Sequence, residues 1–280
     1  MKKNKIKAIF LLAITTFSLF LLAGCGSSSS SASSAKEKTV KIGITGSDDE
    51  VLKAVAKKVK KEGINLKIVE FSDYSQPNTA LDQGEIDLNA FQTIIFQNDW
   101  NKKHKTNIVS IGSTVIAPMA LYSKKIKKVS QIKNGDKIAV ANDATNEARG
   151  LALLESAGLI KLDNAKVPGL KDITENKLNL KITPLDAAQT AKSMDDVTAS
   201  VVNSGVANDS KLDPKTAVYR EKITAKSKPY VNIISANKKD KDNPTYKKIV
   251  KAYQSEEIAK VIKKEFHGYE QPAWNYKVLN

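Results

Sequence analysis

The sequence predicts an α/β fold of two lobes with a cleft between them. Short apolar runs suited to strands alternate with segments of helical periodicity, in two successive series that open near Val40 and near Val129. After the second series one more strong strand pattern, Val231 to Ala236, is followed by two helices that close the chain. Beyond the N-terminal region no hydrophobic run reaches membrane length and no repeat period is present.

In the first series Val40, Ile42 and Ile44 alternate with Lys41, Gly43 and Thr45, as on a half-buried strand. Gly46, Ser47 and Asp48 supply a turn and a helix cap. Leu52, Val55, Ala56 and Val59 then share one helix face, and Gly63 ends that helix. Leu66 to Phe71 is the next strand, so the unit reads as parallel βαβ. A short helix over 77–83 stops at Gly84, 86–88 is a brief buried strand, and Phe91 to Lys103 is a further helix. Residues 108–111 and 115–122 have strand character.

In the second series Lys137 to Ala141 is a strand, and Asp143, Ala144 and Thr145 start a helix that runs to Ala157 and stops at Gly158. Short strands follow at 180–183, 198–202 and 218–219. Asn243 and Pro244 open one terminal helix with a cap and an N1 proline. Ser255, Glu256 and Glu257 open the other, with acidic groups in its first turn. The expected division is a first lobe over 39–116 plus 235–280 and a second lobe over 117–234.

The N-terminus carries a different message. Lys2, Lys3, Lys5 and Lys7 precede an apolar run from Ile9 to Leu22 that is short for a membrane span and gives way at once to small residues. Leu22, Ala23, Gly24 and Cys25 then resemble the bacterial lipobox, in which the cysteine thiol receives a diacylglyceryl group and becomes the first mature residue. Residues 1–24 are therefore expected to be a signal peptide. Cys25 is the sole cysteine, so no intramolecular disulfide competes for it. Residues 25–38 are rich in serine and hold nothing to bury, as in a leash between lipid and domain. This places the protein on the extracytoplasmic face of a cell membrane, and a Gram-positive source is the expectation.

The formal net charge is +15, and loss of the four n-region lysines leaves +11. The positive charge is scattered as lysine along the whole chain, without an aromatic ladder, so a basic surface facing anionic lipid or wall polymer fits better than a nucleic-acid track. Of 45 basic residues only Arg149 and Arg220 are arginine. An arginine kept against that background points to a need for its planar fork.

Catalytic signatures are missing: no nucleophile elbow, zinc-protease helix or phosphate loop occurs, and the two histidines, His104 and His267, stand in polar or terminal settings. Other polar residues stand out. Asn142 to Arg149 lies where strand meets helix, and Asn146 and Arg149, three apart, share a helix face. With the N–H groups of the helix start they would make a receiver for a carboxylate, two parallel guanidinium bonds plus amide donors. On that view the ligand-free form holds no buried anion against Arg149. A capped helix with a surface arginine would give the same pattern. Asn203 follows a strand and Asn232 lies inside one, flanked by Val231 and Ile233. A buried amide needs a partner, which could be a ligand ammonium or a neighbouring loop. Tyr74, Phe91 and Phe96 form an aromatic set at turn positions, suited either to core or to a cleft wall.

Tyr74-Ser-Gln-Pro-Asn-Thr-Ala-Leu81, then Gly84-Glu-Ile-Asp-Leu-Asn-Ala-Phe-Gln92, resemble the methionine-binding lipoproteins of bacterial ABC importers. The likeness continues through Tyr122 to Ile126, Asn142 to Asn146 with Arg149, Gly158 to Leu162, and Pro229 to Asn232. It covers essentially the whole mature chain in order. The resemblance implies a periplasmic-binding-protein type II architecture closing on an amino acid, with no enzymatic activity and no cofactor or metal. It implies an ABC permease and its ATPase as partners. Carried over residue by residue, Arg149 would hold the ligand carboxylate with Asn146 beside it. Asn203 and Asn232 would hold the ammonium end, and Tyr74, Phe91 and Phe96 would wall the side-chain pocket. The family usually follows Asn-Ala-Phe-Gln with His, and three residues later has Tyr; this chain has Thr93 and Phe96 there. The amino-acid clamp is thus of family type, and the side-chain end departs from it. Methionine leads, and another apolar amino acid or a short peptide stays open. So do an adhesin or sensor built on the same fold, and a lipid-anchored enzyme.

Overall fold

The computed structural model describes residues 37–47, 49–267 and 269–274. The signal-peptide and lipobox expectations, Cys25 included, fall outside these residues. In chain order the elements are β1 (Lys38–Thr45), α1 (Glu50–Lys60), β2 (Ile64–Phe71), α2 (Gln76–Gln83), β3 (Leu88–Asn89), α3 (Ile94–His104), β4 (Ile108–Ile116), β5 (Ala120–Tyr122), β6 (Lys137–Ala141), α4 (Ala144–Ser156), β7 (Lys161–Leu162), β8 (Ile173–Glu175), β9 (Lys181–Leu185), β10 (Ala199–Val202), α5 (Ser204–Asp209), β11 (Tyr219–Arg220), β12 (Val231–Asn237), α6 (Pro244–Tyr253), α7 (Glu256–Glu265) and β13 (Gln271–Pro272).

Two principal sheets result. The first runs β13-β4-β12-β3-β1-β2 and the second β11-β5-β10-β6-β9. The expected βαβ unit is present: β1 pairs parallel with β2, Ile42 opposite Ile68, and α1 buries Val51, Leu52, Val55 and Val59. Its last turn carries Lys57, Lys58 and Lys60, which complement the negative end of the helix dipole. Helices α6 and α7 return to the same core, where Ile249, Ile258 and Ile262 pack with Ile42, Val55 and Ile234. The second sheet has its own core of Leu121, Ile138, Val140, Leu151, Leu154 and Val201.

The chain passes between sheets twice, through 117–119 from β4 to β5 and through 221–230 from β11 to β12. Residues 231–234, grouped with the second lobe on sequence, sit in the first sheet. Val231, Ile233 and Ile234 pair with Ile116, Ser113 and Gly112, because their apolar run continues a strand already buried on both faces. Two other expectations shift, and one helix is new. The stretch 108–116 is a single strand. The helix expected from Phe91 begins at Ile94, because the Thr93 hydroxyl caps it by accepting from Phe96 N at 3.3 Å. The helix α5 was not anticipated; its six residues offer too little periodicity to read.

Candidate ligand-binding site

A cavity of about 160 Å³ lies where the ends of β1 and β4 and the start of β12 meet the starts of α3, α4 and α5. Every candidate from the sequence lines it: Tyr74, Phe91, Thr93, Phe96, Asn146, Arg149, Asn203 and Asn232. Six of the eight stand in loops, at helix caps or in the first turns of helices, where a rigid scaffold presents side chains to a cleft.

Part of the lining is aromatic. The rings of Tyr74, Phe91 and Phe96 form a triangle with centroids 5.9–6.2 Å apart, two of the three contacts edge-on. That spacing is favourable for aromatic pairs and leaves an apolar, polarisable wall. Tyr74 comes from the loop before α2 yet packs against a cluster beside the second sheet that includes Tyr122, Met194 and Val206. Burial pushes its phenol well above the usual tyrosine range, reinforced by the charges of Asp143 and Asp209 and opposed by Arg149.

Another part of the lining is polar. Asp143 caps α4 by accepting from Asn146 N at 3.0 Å, and it holds the Asn146 side chain through Nδ2 at 2.9 Å. Asn146 Oδ1 accepts from Asn203 Nδ2 at 2.8 Å. This chain of bonds leaves Asn203 Oδ1 buried with no partner. A lone buried acceptor facing a cavity suits an ammonium donor and costs about 1–3 kcal/mol while unfilled. Asn232 lies opposite Thr93 in an isolated antiparallel bridge, and its side chain makes no hydrogen bond among the described residues.

Arg149 departs from expectation. The sequence reading gave its whole fork to a ligand and left it without a buried counter-ion. Instead Nε and Nη2 donate to Glu221 at 3.2 and 2.6 Å, and Nη2 also donates to Ala117 O at 2.8 Å. The Tyr230 ring covers the guanidinium at 4.4 Å. Arg149 is 5% exposed, and a charge so buried requires a partner in the protein itself. Only Nη1 remains without a protein acceptor among the described residues. Glu221 gave no signal in the sequence, since it follows an edge strand in a lysine-rich stretch.

The sequence also did not assign a role to a buried amide cluster beneath the cavity. Asn78 and Gln92 exchange two bonds of 2.8 Å, Asn89 donates to Asn78 at 2.9 Å, and Gln92 donates to Asn89 at 3.1 Å. Ser235 of β12 accepts from Gln92 at 3.3 Å and donates to Gln97 at 2.8 Å. Their shared burial signal was masked because the residues lie in three separate segments. The cluster locks the 89–93 loop that presents Phe91 and Thr93. Across the cavity Asp209, at the end of α5, accepts from Ser47 N at 3.0 Å in the loop after β1. Among the described residues no cluster of His, Cys, Asp or Glu is arranged to hold a metal ion.

Known proteins are similar to this chain in sequence and in overall structure. The D-methionine-binding lipoprotein MetQ of Salmonella typhi is 39% identical over 260 residues, covering 90% of this chain and 93% of the relative. The substrate binding protein of a methionine transporter from Streptococcus pneumoniae superposes with a TM-score of 0.81 at 44% identity, covering 84% of this chain and 96% of that one. A nutrient binding protein from Burkholderia cenocepacia, solved bound to methionine, gives a TM-score of 0.80 at 42% identity over 84% and 99% of the two chains. The sequence pattern of the NlpA lipoprotein family matches residues 40–274, and the chain belongs to that family.

Proposed function

We propose that this chain is the solute-binding lipoprotein of an ABC importer and takes methionine into the cavity between its two sheets. The observation that carries the reading is the mixed lining of the cavity: a triangle of aromatic rings, together with the unpartnered Asn203 Oδ1 and the Arg149 guanidinium. A zwitterion with an unbranched apolar side chain matches both kinds of lining, and sulfur is attracted to aromatic ring edges. Tyr74, Phe91, Phe96 and Thr93 surround the side chain in this reading. Asn146 and Arg149 take the carboxylate, and Asn203 and Asn232 the ammonium. The relatives named above support it by what they bind or transport. With Thr93 and Phe96 in the lining, another apolar amino acid of similar length is the second reading.

In this proposal the first lobe comprises 39–116 with the C-terminal segment from β12 onward, and the second lobe the residues between. The ligand is delivered to a permease and its ATPase. The domain is tethered by a lipid on Cys25 to the extracytoplasmic face of the membrane of a Gram-positive bacterium, and it performs no catalysis. No helix among the described residues is long and apolar enough to cross a membrane. Acyl labelling of the wild type, lost in Cys25→Ser together with membrane retention, tests the tether.

Isothermal titration of the soluble domain with L- and D-methionine, leucine, norleucine, lysine and glutamate tests the ligand. Preference for methionine or norleucine supports the reading, and a best response to lysine or glutamate overturns it. Native mass spectrometry of the purified domain reports any ligand that co-purifies.

A further inference from the structure

Glu221 lies outside the residues that line the cavity, yet it fixes the one arginine that does. Its Oε1 accepts from Arg149 Nε, and its Oε2 accepts from Arg149 Nη2 and from Met119 N at 3.1 Å. Its own backbone N–H donates to Met119 O at 3.0 Å. Glu221 opens the second crossing between the sheets, Ala117 and Met119 belong to the first, and Tyr230 ends the second. Arg149 is therefore tied to both crossings at once, through Glu221, Ala117 O and the Tyr230 ring.

We infer that Glu221 is the positioning residue of the ligand-binding site: it occupies Nε and Nη2 of Arg149 so that Nη1 alone is aimed into the cavity to receive an anionic oxygen of the ligand. This rests on the amino-acid reading of the cavity. A guanidinium has five N–H donors in a rigid fork. Glu221 and Ala117 take Nε–H and both hydrogens of Nη2, which fixes the plane and leaves the two on Nη1. Arginine carries large rotamer freedom, and a fork already held loses little more when it binds. Without Glu221 the buried Nε has no acceptor and Nη2 keeps only Ala117 O, so the plane of the guanidinium is no longer fixed. The aim of Nη1 is then lost although Arg149 is still present. A glutamine does not substitute, because its NH₂ would place a donor against either the Met119 N–H or an Arg149 N–H.

The test uses two probes, L-methionine and L-methioninamide, which lacks the carboxylate. Glu221→Gln and Glu221→Ala are titrated with both, beside Arg149→Ala and the double variant Arg149→Ala/Glu221→Ala. Glu221→Asp serves where alanine does not fold, and circular dichroism verifies each variant. The expected result is a 10- to 100-fold loss for methionine in Glu221→Gln, less than a threefold change for methioninamide, and a double variant no weaker than Arg149→Ala alone. Equal losses for both probes, or additive losses in the double variant, would make Glu221 merely structural and overturn the inference. Tighter methionine binding in Glu221→Gln would overturn it too, by showing a competitor of the ligand carboxylate. If no variant moves methionine while wild type binds it, Glu221 has no role. If wild type binds neither probe, the methionine reading fails first and the inference falls with it.

Discussion

The Arg149 guanidinium and the Glu221 carboxylate meet at 2.6 Å with their side chains 6% and 19% exposed, on a helix of one sheet and on the crossing that leads back to the other. A pair so placed has two consequences, one for ligand affinity and one for stability of the empty protein.

Arg149→Ala removes the ligand's guanidinium contact and orphans Glu221. Because only Nη1 is left for the ligand, the contact is one charged hydrogen bond, worth about 1.5–3 kcal/mol. Affinity for methionine should fall by about 10- to 150-fold. Breaking a buried pair from one side costs roughly 3–5 kcal/mol, and the partial exposure of Glu221 puts this case near the lower end. A loss of about 3 kcal/mol corresponds to a melting temperature lower by roughly 6–12 °C for a domain of this size. Ligand-free thermal unfolding checks it; an unchanged melting temperature would show that the pair contributes nothing. Arg220, whose guanidinium stacks on Tyr269 at 4.8 Å outside the cavity, is the control, and Arg220→Ala should leave affinity within twofold.

Gln92→Leu should loosen the cavity wall from below. Gln92 is 2% exposed, and its loss strips Asn78 of the acceptor for its Nδ2 and of a donor to its Oδ1. An orphaned buried amide costs about 1–3 kcal/mol, and leucine fills the volume without satisfying it. Amide hydrogen exchange in 89–93 should quicken, and methionine affinity should drop severalfold. Unchanged exchange there would show that the network does not hold the loop.

Much of this was legible in the sequence, for physical reasons that also mark the limits. The strand-to-helix junction at Asp143 is local: cap, helix face and Arg149 lie within seven residues, so spacing alone placed Asn146 beside Arg149. Tyr74, Phe91 and Phe96 and the two asparagines were found through the family resemblance as well as through pattern. Glu221 was not, because its role depends on a partner 72 residues away and no local rule sets it apart from the other acidic residues. The Asn78–Gln92–Ser235 network escaped likewise, since burial of a polar residue is a tertiary fact. The crossing into β12 was placed a few residues late because a doubly buried strand has no alternation to mark which sheet it joins.

Tyrosine ionisation should destabilise the fold at alkaline pH. Burial is the first cause that raises the phenols of Tyr74, Tyr122, Tyr230 and Tyr246, with Tyr122 pushed up to about 12. A raised folded value means that the native state favours the neutral phenol. Its contribution is complete below the unfolded value near 10 and is lost as pH rises toward the folded value. Stability measured by urea should fall steadily between about pH 10 and 12. Spectrophotometric titration should show part of the tyrosine absorbance appearing late, and Tyr122→Phe should reduce that late fraction. Titration of all tyrosines together near pH 10 would contradict the burial.

Gly46→Ala should hinder closure of the cavity without disturbing either sheet. Gly46 holds φ at +77°, a conformation that costs an L-residue about 1–2 kcal/mol, and an added Cβ would lie 1.8 Å from Asp209 Oδ2. Asp209 is exposed and can swing away, so the clash itself is relieved cheaply, but the bond from Ser47 N to Asp209 Oδ1 is then given up. That bond joins the loop after β1 of the first sheet to the end of α5 beside the second, next to the cavity that Thr45 and Asp209 line. Its loss acts on the closed form and leaves each core intact. Methionine affinity should fall by roughly 10-fold, for about 1.4 kcal/mol, mainly through faster dissociation. Asp209→Ala should lose somewhat less, because it breaks the bond without the backbone strain. Since both changes remove one contact, the double variant should be no weaker than Gly46→Ala alone. Stopped-flow dissociation of bound methionine measures all three; additive effects, or a wild-type rate in Asp209→Ala, would show that the Ser47–Asp209 contact does not hold the cavity closed.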